Sequence, residues 1–376
     1  MATIIVEPTT ACNATCAYCY AAGHAPTPST VMSLETLELL FARIDEYLAE
    51  RPRETMGVVW HGGEPLLLGP RFFAAAVELQ RKRCGGVANR IRHGIQSNLT
   101  LLTSELAGLL KELGIHTVGS SCDPVTDLRA LGRAGDAAAY DRRYREGLAL
   151  LEREGLRAGV MYVVTRPVLD RPLEVFRRLT ELPVTGPIDL NPVVLAEGEG
   201  ALEVTGEEYC TFLGAIFPEW WAVRDRHPEV GPFSLLTRNL RDGVRQLSCR
   251  DSGRCAYVYV NVAPDGGLSH CNRTAGCRQL DYGNLRDRTL AEALADPRRK
   301  PLLDRNRVLF EGECLGCRFW PICHGGCPMD SFTRTGSFMH RTIFCEAKRG
   351  LIERHIEPLI GGCPGLTGQK QTAPLP

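Results

Sequence analysis

Cys12-Asn13-Ala14-Thr15-Cys16-Ala17-Tyr18-Cys19 decides how the rest of this chain is read. Three thiols fall within eight residues, at Cys-x3-Cys-x2-Cys spacing. A short loop with that spacing can wrap three thiolates around one corner of a four-iron cube and leave one iron with an open position, where a substrate binds. The residues just before it, Thr3-Ile4-Ile5-Val6-Glu7, are apolar and partly β-branched, which predicts a buried strand. The cysteines then lie on a loop at the C-terminal end of the first strand, the end that carries the chemistry in barrels of alternating strands and helices. A zinc or disulfide site is the competing reading. Zinc usually takes four protein ligands, often as two Cys-x2-Cys knuckles, and this stretch holds a single knuckle.

Working outward, Ser33 predicts the N-cap of a helix running to about Glu50, with Leu37, Leu40, Phe41, Ile44 and Leu48 at helical spacing. Met56 to Trp60 reads as a second strand that ends in His61-Gly62-Gly63-Glu64-Pro65. Two glycines permit close backbone approach and a carboxylate accepts from an ammonium group; a plain turn is the alternative. A helix over about 71–83 precedes a strand over Ile91–Gln96, which ends in Gln96-Ser97-Asn98. A strand over His116–Gly119 leads into Ser120-Ser121-Cys122-Asp123-Pro124, and a helix follows over about Tyr140–Gly155. Gly159–Thr165 and Ile188–Val194 read as strands five and six. This rhythm predicts an α/β fold, a partial (β/α)6 TIM-like barrel over residues 1–200, open on one side and ending near Ala196. Glu197-Gly198-Glu199-Gly200 reads as a polar linker to a helical bridge over 201–248. Its aromatic stripe of Tyr209, Phe212, Phe217, Trp220 and Trp221 is of the kind that more often packs a core than stacks on a ligand.

A second cysteine-rich region, 249–350, follows. Cys255 precedes Gly266 by ten intervening residues, and Cys271 comes after four more. Then come Cys314-x2-Cys317-x5-Cys323-x3-Cys327 and, after a gap, Cys345; Cys249 makes an eighth. Eight thiolates are what two four-iron clusters need. A four-cysteine zinc ribbon is the alternative for Cys314 to Cys327, but ribbons pair two knuckles and this spacing does not. Trp320 and Pro321 offer apolar shielding there, and Tyr257–Val262 with the Pro264-Asp265-Gly266-Gly267 turn reads as a hairpin. Residues 351–376 read as a tail, disordered from Gly361 onward by composition.

At 376 residues the chain has room for roughly two domains of about 150 residues. Forty-four basic against 44 acidic residues, net charge +0, gives no mark of a nucleic-acid binder, and Arg81-Lys82-Arg83 and Arg298-Arg299-Lys300 read as solvated faces. Neither a signal peptide nor a run of about 18 apolar residues is present, so a cytoplasmic protein without membrane contact is expected. In that compartment sixteen cysteines argue for metal rather than disulfides. Cys84, Cys122, Cys210 and Cys363 read as apolar filler or tail; Cys277, close after Cys271, is a candidate to approach the site.

These motifs together resemble the radical SAM superfamily, and the C-terminal cysteine pattern resembles its SPASM-domain branch of peptide-modifying maturases, related to anaerobic sulfatase-maturating enzymes. The resemblance spans nearly the whole chain, from Cys12 to Cys345. It implies a cluster on Cys12, Cys16 and Cys19 whose open iron holds the amino and carboxylate groups of S-adenosylmethionine. One electron then cleaves that ligand to a 5′-deoxyadenosyl radical, which abstracts a hydrogen atom. It implies S-adenosylmethionine contacts from Tyr18, from Gly62, Gly63, Glu64 and Pro65 as the methionine-binding motif, and from Gln96 and Asn98 of a Gln-Thr-Asn-like tripeptide. Ser121 would meet the ribose, although a hydroxyl capping its own loop is nearly as good a reading and the family's glycine is missing after Asp123. An arginine on the Tyr140–Gly155 helix would pair the carboxylate; Arg145 fits better than Arg142 or Arg143. By the family's interleaved connectivity, Cys249, Cys255, Cys271 and Cys327 hold an inner auxiliary cluster, and Cys314, Cys317, Cys323 and Cys345 an outer one. Three [4Fe-4S] clusters are thus expected.

Formylglycine-forming members carry an aspartate directly after the cysteine that matches Cys271, and here that residue is Asn272. A neutral amide cannot take the proton that leaves with an oxidised thiol or alcohol. The expected function is therefore maturation of a ribosomal peptide by an intramolecular crosslink, a cyclophane-type carbon–carbon bond or a thioether. Sulfatase-type oxidation or another dehydrogenation is the alternative, and a non-catalytic iron–sulfur electron carrier a third. The expected partners are a precursor peptide, an electron donor such as flavodoxin or ferredoxin, and a separate leader-binding protein, because the chain starts at strand one with no room for a leader-gripping domain. The catalytic base is unassigned.

Overall fold

The computed structural model describes residues 1–21, 29–132, 134–195, 200–226, 228–244, 246–274 and 277–366. The expected linker and the end of the tail fall largely outside these residues. Strands β1 (Ala2–Val6), β2 (Met56–Trp60), β3 (Ile91–Gln96), β4 (Thr117–Ser121), β5 (Arg157–Val164) and β6 (Ile188–Pro192) alternate with helices α1 (Leu34–Ala49), α2 (Gly69–Cys84), α3 (Ser104–Glu112), α4 (Ala137–Arg153) and α5 (Pro172–Thr180). All six strands run parallel, each hydrogen-bonded to the next. Alternation along β1 places Ala2, Ile4 and Val6 in the core with Leu37, Leu40, Phe41 and Ile44 of α1, and leaves Thr3 and Ile5 half-buried on the opposite face. Ser33 caps α1, its hydroxyl accepting from the Thr36 amide at 3.0 Å.

Both ends of the barrel sheet extend beyond the sequence expectation. After α6 (Gly206–Val223), a two-residue strand β7 (Val230–Gly231) adds parallel to β6 and leads into α7 (Phe233–Asp242). At the other end, a short helix α8 (Cys255–Val258) feeds β8 (Tyr259–Val262), which pairs in parallel with β1. The hairpin partners β9 (Gly267–Ser269) and β10 (Asp281–Asn284) continue it antiparallel. The strand order is β10-β9-β8-β1-β2-β3-β4-β5-β6-β7, so the cysteine-rich region is hydrogen-bonded into the barrel sheet. The remaining helices are α9 (Leu290–Leu294), α10 (Lys300–Glu311), α11 (Pro328–Thr335), α12 (Cys345–Gly350), packed on α6, and α13 (Glu357–Ile360). Between the last two, helical Leu351–Ile356 buries Leu351, Ile352 and Ile356 against α6, so the segment expected as a tail begins as packed helix. The stripe on α6 is core: Phe217, Trp220 and Trp221 pack on one another and, with Phe233 against Phe217 and Trp220, form one aromatic cluster. Among the described residues no helix is long and apolar enough to cross a membrane.

Candidate metal and cofactor centre

The three-cysteine loop is held by backbone and small polar groups from three neighbouring loops. Thr15 and Ala17 amides donate to Ala130 and Leu128 carbonyls at 2.8 Å, and the Gly132 amide donates to the Asn13 carbonyl at 2.9 Å. Asn13 Oδ1 accepts from Asn98 Nδ2 at 2.8 Å, and its Nδ2 donates to Thr100 at 2.9 Å. Asn98 therefore fixes the cysteine loop. Cys12 and Cys19 stay exposed and Cys16 half-buried. Local burial, more than the neighbouring acidic and thiol groups, pushes the Cys12 thiol up to about 11.

The strand β2 turn packs directly beneath that loop. Gly63 and Glu64 amides donate to Thr9 and Ala11 carbonyls at 2.9 and 2.8 Å. A Cβ on Gly63 would stand 2.1 Å from the Ala11 carbonyl oxygen, so no larger residue fits. Gly62 adopts φ +96°, where glycine alone is comfortable. Glu64 is 1% exposed, and its carboxylate accepts from the Leu66 amide (3.0 Å), Ser97 hydroxyl (2.8 Å) and Asn98 amide (2.7 Å). Burial outweighs these three donors and raises its proton affinity. Among the described residues no Lys, Arg or His forms an ion pair with it. Pro65 opens the 3-10 turn Pro65–Leu68 behind it.

Gln96 and Ser121 meet across β3 and β4, Nε2 donating to Oγ at 3.1 Å. Gly119 makes room for them, since a Cβ there would lie 2.2 Å from Gln96 Oε1. Tyr18 is buried, and its hydroxyl accepts from Arg129 Nε at 2.7 Å. Arg129 Nη1 also donates to the Tyr140 hydroxyl (3.1 Å), which donates to the Ser121 carbonyl (3.0 Å). Arg129 thus ties the cysteine loop to the Ser121 strand. Arg145 is not brought to this group: it lies on the exposed side of α4, Nε 2.8 Å from Asp141 one turn away. Sequence reasoning missed Arg129, which sits in an irregular stretch; the position of its aromatic partners, Tyr18 and Tyr140, was the signal available.

The eight C-terminal cysteines gather as two foursomes. Cys327 raises the proton affinity of Cys249, Cys255 and Cys271 by like charge, on top of a larger effect of burial; Cys249 reaches about 11 and Cys271 about 12. Cys317, Cys323 and Cys345 act in the same way on Cys314, which burial chiefly lifts to about 12. The outer four line one small pocket with Phe319 and Trp320, both buried; Phe319 takes the shielding place expected of Pro321. Among the described residues no three His, Cys, Asp or Glu close around a single ion. In a four-iron cube each thiolate binds a different iron, so its ligands stand apart. Local desolvation and like charge favour the protonated thiol at Cys249, Cys255, Cys271, Cys314, Cys323 and Cys345, and a cationic iron–sulfur core fits this donor set. The remaining cysteines are partly or fully buried, with Cys84 donating to the Phe41 carbonyl at 3.2 Å; Cys277 starts the turn before β10.

Between the loop and the inner foursome, Asn272 Nδ2 donates to the Tyr20 hydroxyl. Tyr20 feels Glu7, Cys19 and Cys271, and burial foremost raises its proton affinity. Glu7 itself is 9% exposed, and burial lifts its carboxyl to about 7 against a side-chain hydrogen bond from Asn261. Neither Glu7 nor Tyr20 was legible as part of the site.

The open parallel barrel carries three thiols after its first strand, and residues 6–179 match the Radical SAM superfamily. The chain carries a radical SAM domain. It is 29% identical over 360 residues to the serine-type anaerobic sulfatase-maturating enzyme of Bacteroides thetaiotaomicron, covering 88% of this chain and 84% of that one. The cysteine-type enzyme of Clostridium perfringens is 24% identical over 372 residues, 95% of this chain and 97% of its own. In fold, the chain superposes on native anSMEcpe with bound AdoMet and Cp18Cys peptide at a TM-score of 0.81 (21% identity, 95% and 97% of the two chains). It superposes on Streptococcus suis SuiB bound to precursor peptide SuiA at 0.64 (15% identity, 92% and 75%).

Proposed function

We propose that this enzyme uses S-adenosylmethionine and three four-iron clusters to abstract a hydrogen atom from a ribosomal peptide and close an intramolecular crosslink, of the cyclophane carbon–carbon or thioether kind. Cys12, Cys16 and Cys19 would hold the cluster, which with bound S-adenosylmethionine would supply one-electron hydrogen-abstraction chemistry. The chain's own work is binding and orientation. Glu64 offers an unpaired, buried carboxylate to the amino group, with Gly62, Gly63 and Pro65 letting the ligand approach the backbone. Arg129, bridging Tyr18 and Tyr140 and close enough to act on Cys16, would meet the carboxylate, and Gln96 and Ser121 would meet the nucleoside while Asn98 holds the loop through Asn13. The two foursomes hold the auxiliary clusters.

The observation that carries the crosslinking reading is Asn272. An amide follows Cys271, and its Nδ2 is committed to the Tyr20 hydroxyl, so this position holds no proton acceptor. A second reading, sulfatase-type formylglycine formation, is favoured by the two sulfatase-maturating relatives. Anaerobically reconstituted enzyme given S-adenosylmethionine, a reductant and a co-encoded peptide tests both. Crosslinking removes two hydrogens and leaves no aldehyde. A product captured by a hydrazide reagent supports the second reading, and unchanged peptide beside 5′-deoxyadenosine overturns the first.

A further inference from the structure

Ser121, Met161, Asp189 and Gly231 stand in register across β4, β5, β6 and β7, forming one row on one face of the sheet. The Ser121 end meets Gln96 in the centre described above. The other end opens into a cavity of about 300 Å3 between β5–β7, α6, α7 and the inner foursome. Its lining is mostly apolar, with Met161, Leu213 and Leu236 on the barrel side and Cys249 and Cys327 opposite. Met161 is 42% exposed, unusual for a large apolar side chain inside a barrel.

The charges around this cavity are matched, with one exception. Arg250 donates to Asn191 (2.8 Å) and Asp330 (2.9 Å), Arg273 takes the other Asp330 oxygen (2.7 Å), and Lys348 is paired with Asp251. Glu229, the acidic neighbour from the β7 side, is paired with Arg238. The Asp189 carboxylate has no hydrogen bond or ion pair to any described residue. Arg250 is near enough to be felt, but its guanidinium donates to Asn191 and Asp330 and makes no hydrogen bond or ion pair with Asp189. A Cβ on Gly231 would lie 2.0 Å from Asp189 Oδ1, so the carboxylate rests against bare backbone. An unpaired carboxylate at the rim of an apolar cavity is the complement of a cationic head on an aliphatic stem.

We propose that this cavity is a specificity pocket for a lysine or arginine side chain of the substrate peptide, with Asp189 as its counter-ion and Met161, Leu213 and Leu236 packed on the stem. The inference rests on the peptide reading above and names a residue class that peptide carries. A substrate cation would be placed between the Ser121 strand and the inner thiols, beside the reacting centre.

Equilibrium dialysis of the full-length reconstituted enzyme tests it with two probes, Nα-acetyl-lysine methylamide and Nα-acetyl-norleucine methylamide, which keeps the four-carbon stem and lacks the ammonium. The wild type is expected to prefer the lysine probe by about ten-fold or more, the worth of one well-placed charge partner. Asp189→Asn should erase that preference while leaving the norleucine affinity in place. Gly231→Ala, which keeps the carboxylate but forces it to move, should weaken the lysine probe alone. Equal binding of both probes by the wild type, an unchanged preference in Asp189→Asn, or no binding of either probe at tens of millimolar would overturn the proposal. Formation of 5′-deoxyadenosine by the wild type tests the functional reading separately, so each can fail without the other.

Discussion

The three-cysteine loop and the two C-terminal foursomes use the same side chain to opposite ends. Around Cys12, Cys16 and Cys19 the supports are backbone amides, Asn13 and Asn98, with one cation, Arg129, held between two tyrosines beside them, and the buried Glu64 carboxylate has no ion-pair partner among the described residues. Around the foursomes the protein brings its own cations. Arg305 is 2% exposed and donates to the carbonyls of Phe338 (2.7 Å), Gly325 (2.9 Å), His340 (2.9 Å) and His324 (3.3 Å). It feels Cys327 and Cys255 of one foursome and Cys323 and Cys314 of the other. Arg273 donates both to Cys327 Sγ (3.5 Å) and to Asp330. One region leaves a place for a ligand's charge; the other is neutralised from within. A group that must exchange a ligand at every turnover needs the first arrangement, and a fixed group the second.

The largest effect should come from the open region. Cys12→Ala should lower 5′-deoxyadenosine formation by about 10³-fold or more, a barrier rise of about 4 kcal/mol, and remove about four irons per chain. Cys345→Ala should remove a similar amount of iron yet leave S-adenosylmethionine cleavage measurable. Anaerobic product analysis with iron quantification checks both, and equal loss of cleavage in the two variants would break the contrast. Next comes Arg305→Met, which strands four carbonyls between the foursomes. A loss of about 3–5 kcal/mol is expected for breaking a buried charged network, read as a lowered denaturant midpoint and loss of iron from both foursomes together.

Much of this contrast was legible in the sequence, for a physical reason. Met56–Trp60 and Ile91–Gln96 match their strands to the residue because each is a short apolar or alternating run that ends in turn chemistry. The cysteine groupings came from the family resemblance and its interleaved connectivity; spacing alone would have put Cys327 with its neighbour Cys323. β7 and the pairing of β8 with β1 were not legible: two residues carry no periodicity, and strand partnership across some 250 positions is a tertiary fact. The charged residues fared worst. Arg129 lies in an irregular stretch where neither helical nor strand spacing assigns it a face, and Glu7 follows an apolar run that gives no hint of a raised carboxyl. Both acquire their roles from partners distant in sequence.

Glu7 sharpens the comparison from within the barrel. Burial holds its carboxyl at about 7 against the usual 4.5, so the folded state prefers the protonated form. Its contribution is fully favourable below about pH 4.5 and is lost as pH rises through 7. A tenfold change in proton affinity between the folded and unfolded chain is worth about 1.4 kcal/mol. Glu7→Gln, neutral throughout, should therefore be more stable than the wild type by about 2–3 kcal/mol at pH 8. Near pH 5 most of the difference should vanish. Thermal unfolding at the two pH values measures it, and a pH-independent difference would mean that packing, not ionisation, is at stake.

The smallest effect separates two arginines. Arg145 and Asp141 form an i,i+4 pair whose side chains are 54% and 53% exposed. Pairs of this kind contribute about 0.3–0.5 kcal/mol and are screened by salt. Arg145→Ala should therefore change stability by less than about 0.5 kcal/mol and leave S-adenosylmethionine affinity within error. Arg129 is held between two buried tyrosines beside the cysteine loop, so Arg129→Gln, which keeps a donor but removes the charge, should weaken that affinity by about ten-fold or more, the worth of a charge-assisted hydrogen bond. Isothermal titration of the reconstituted variants decides between them. A loss of affinity confined to Arg145→Ala would move the carboxylate contact from Arg129 to α4 and overturn the assignment of Arg129.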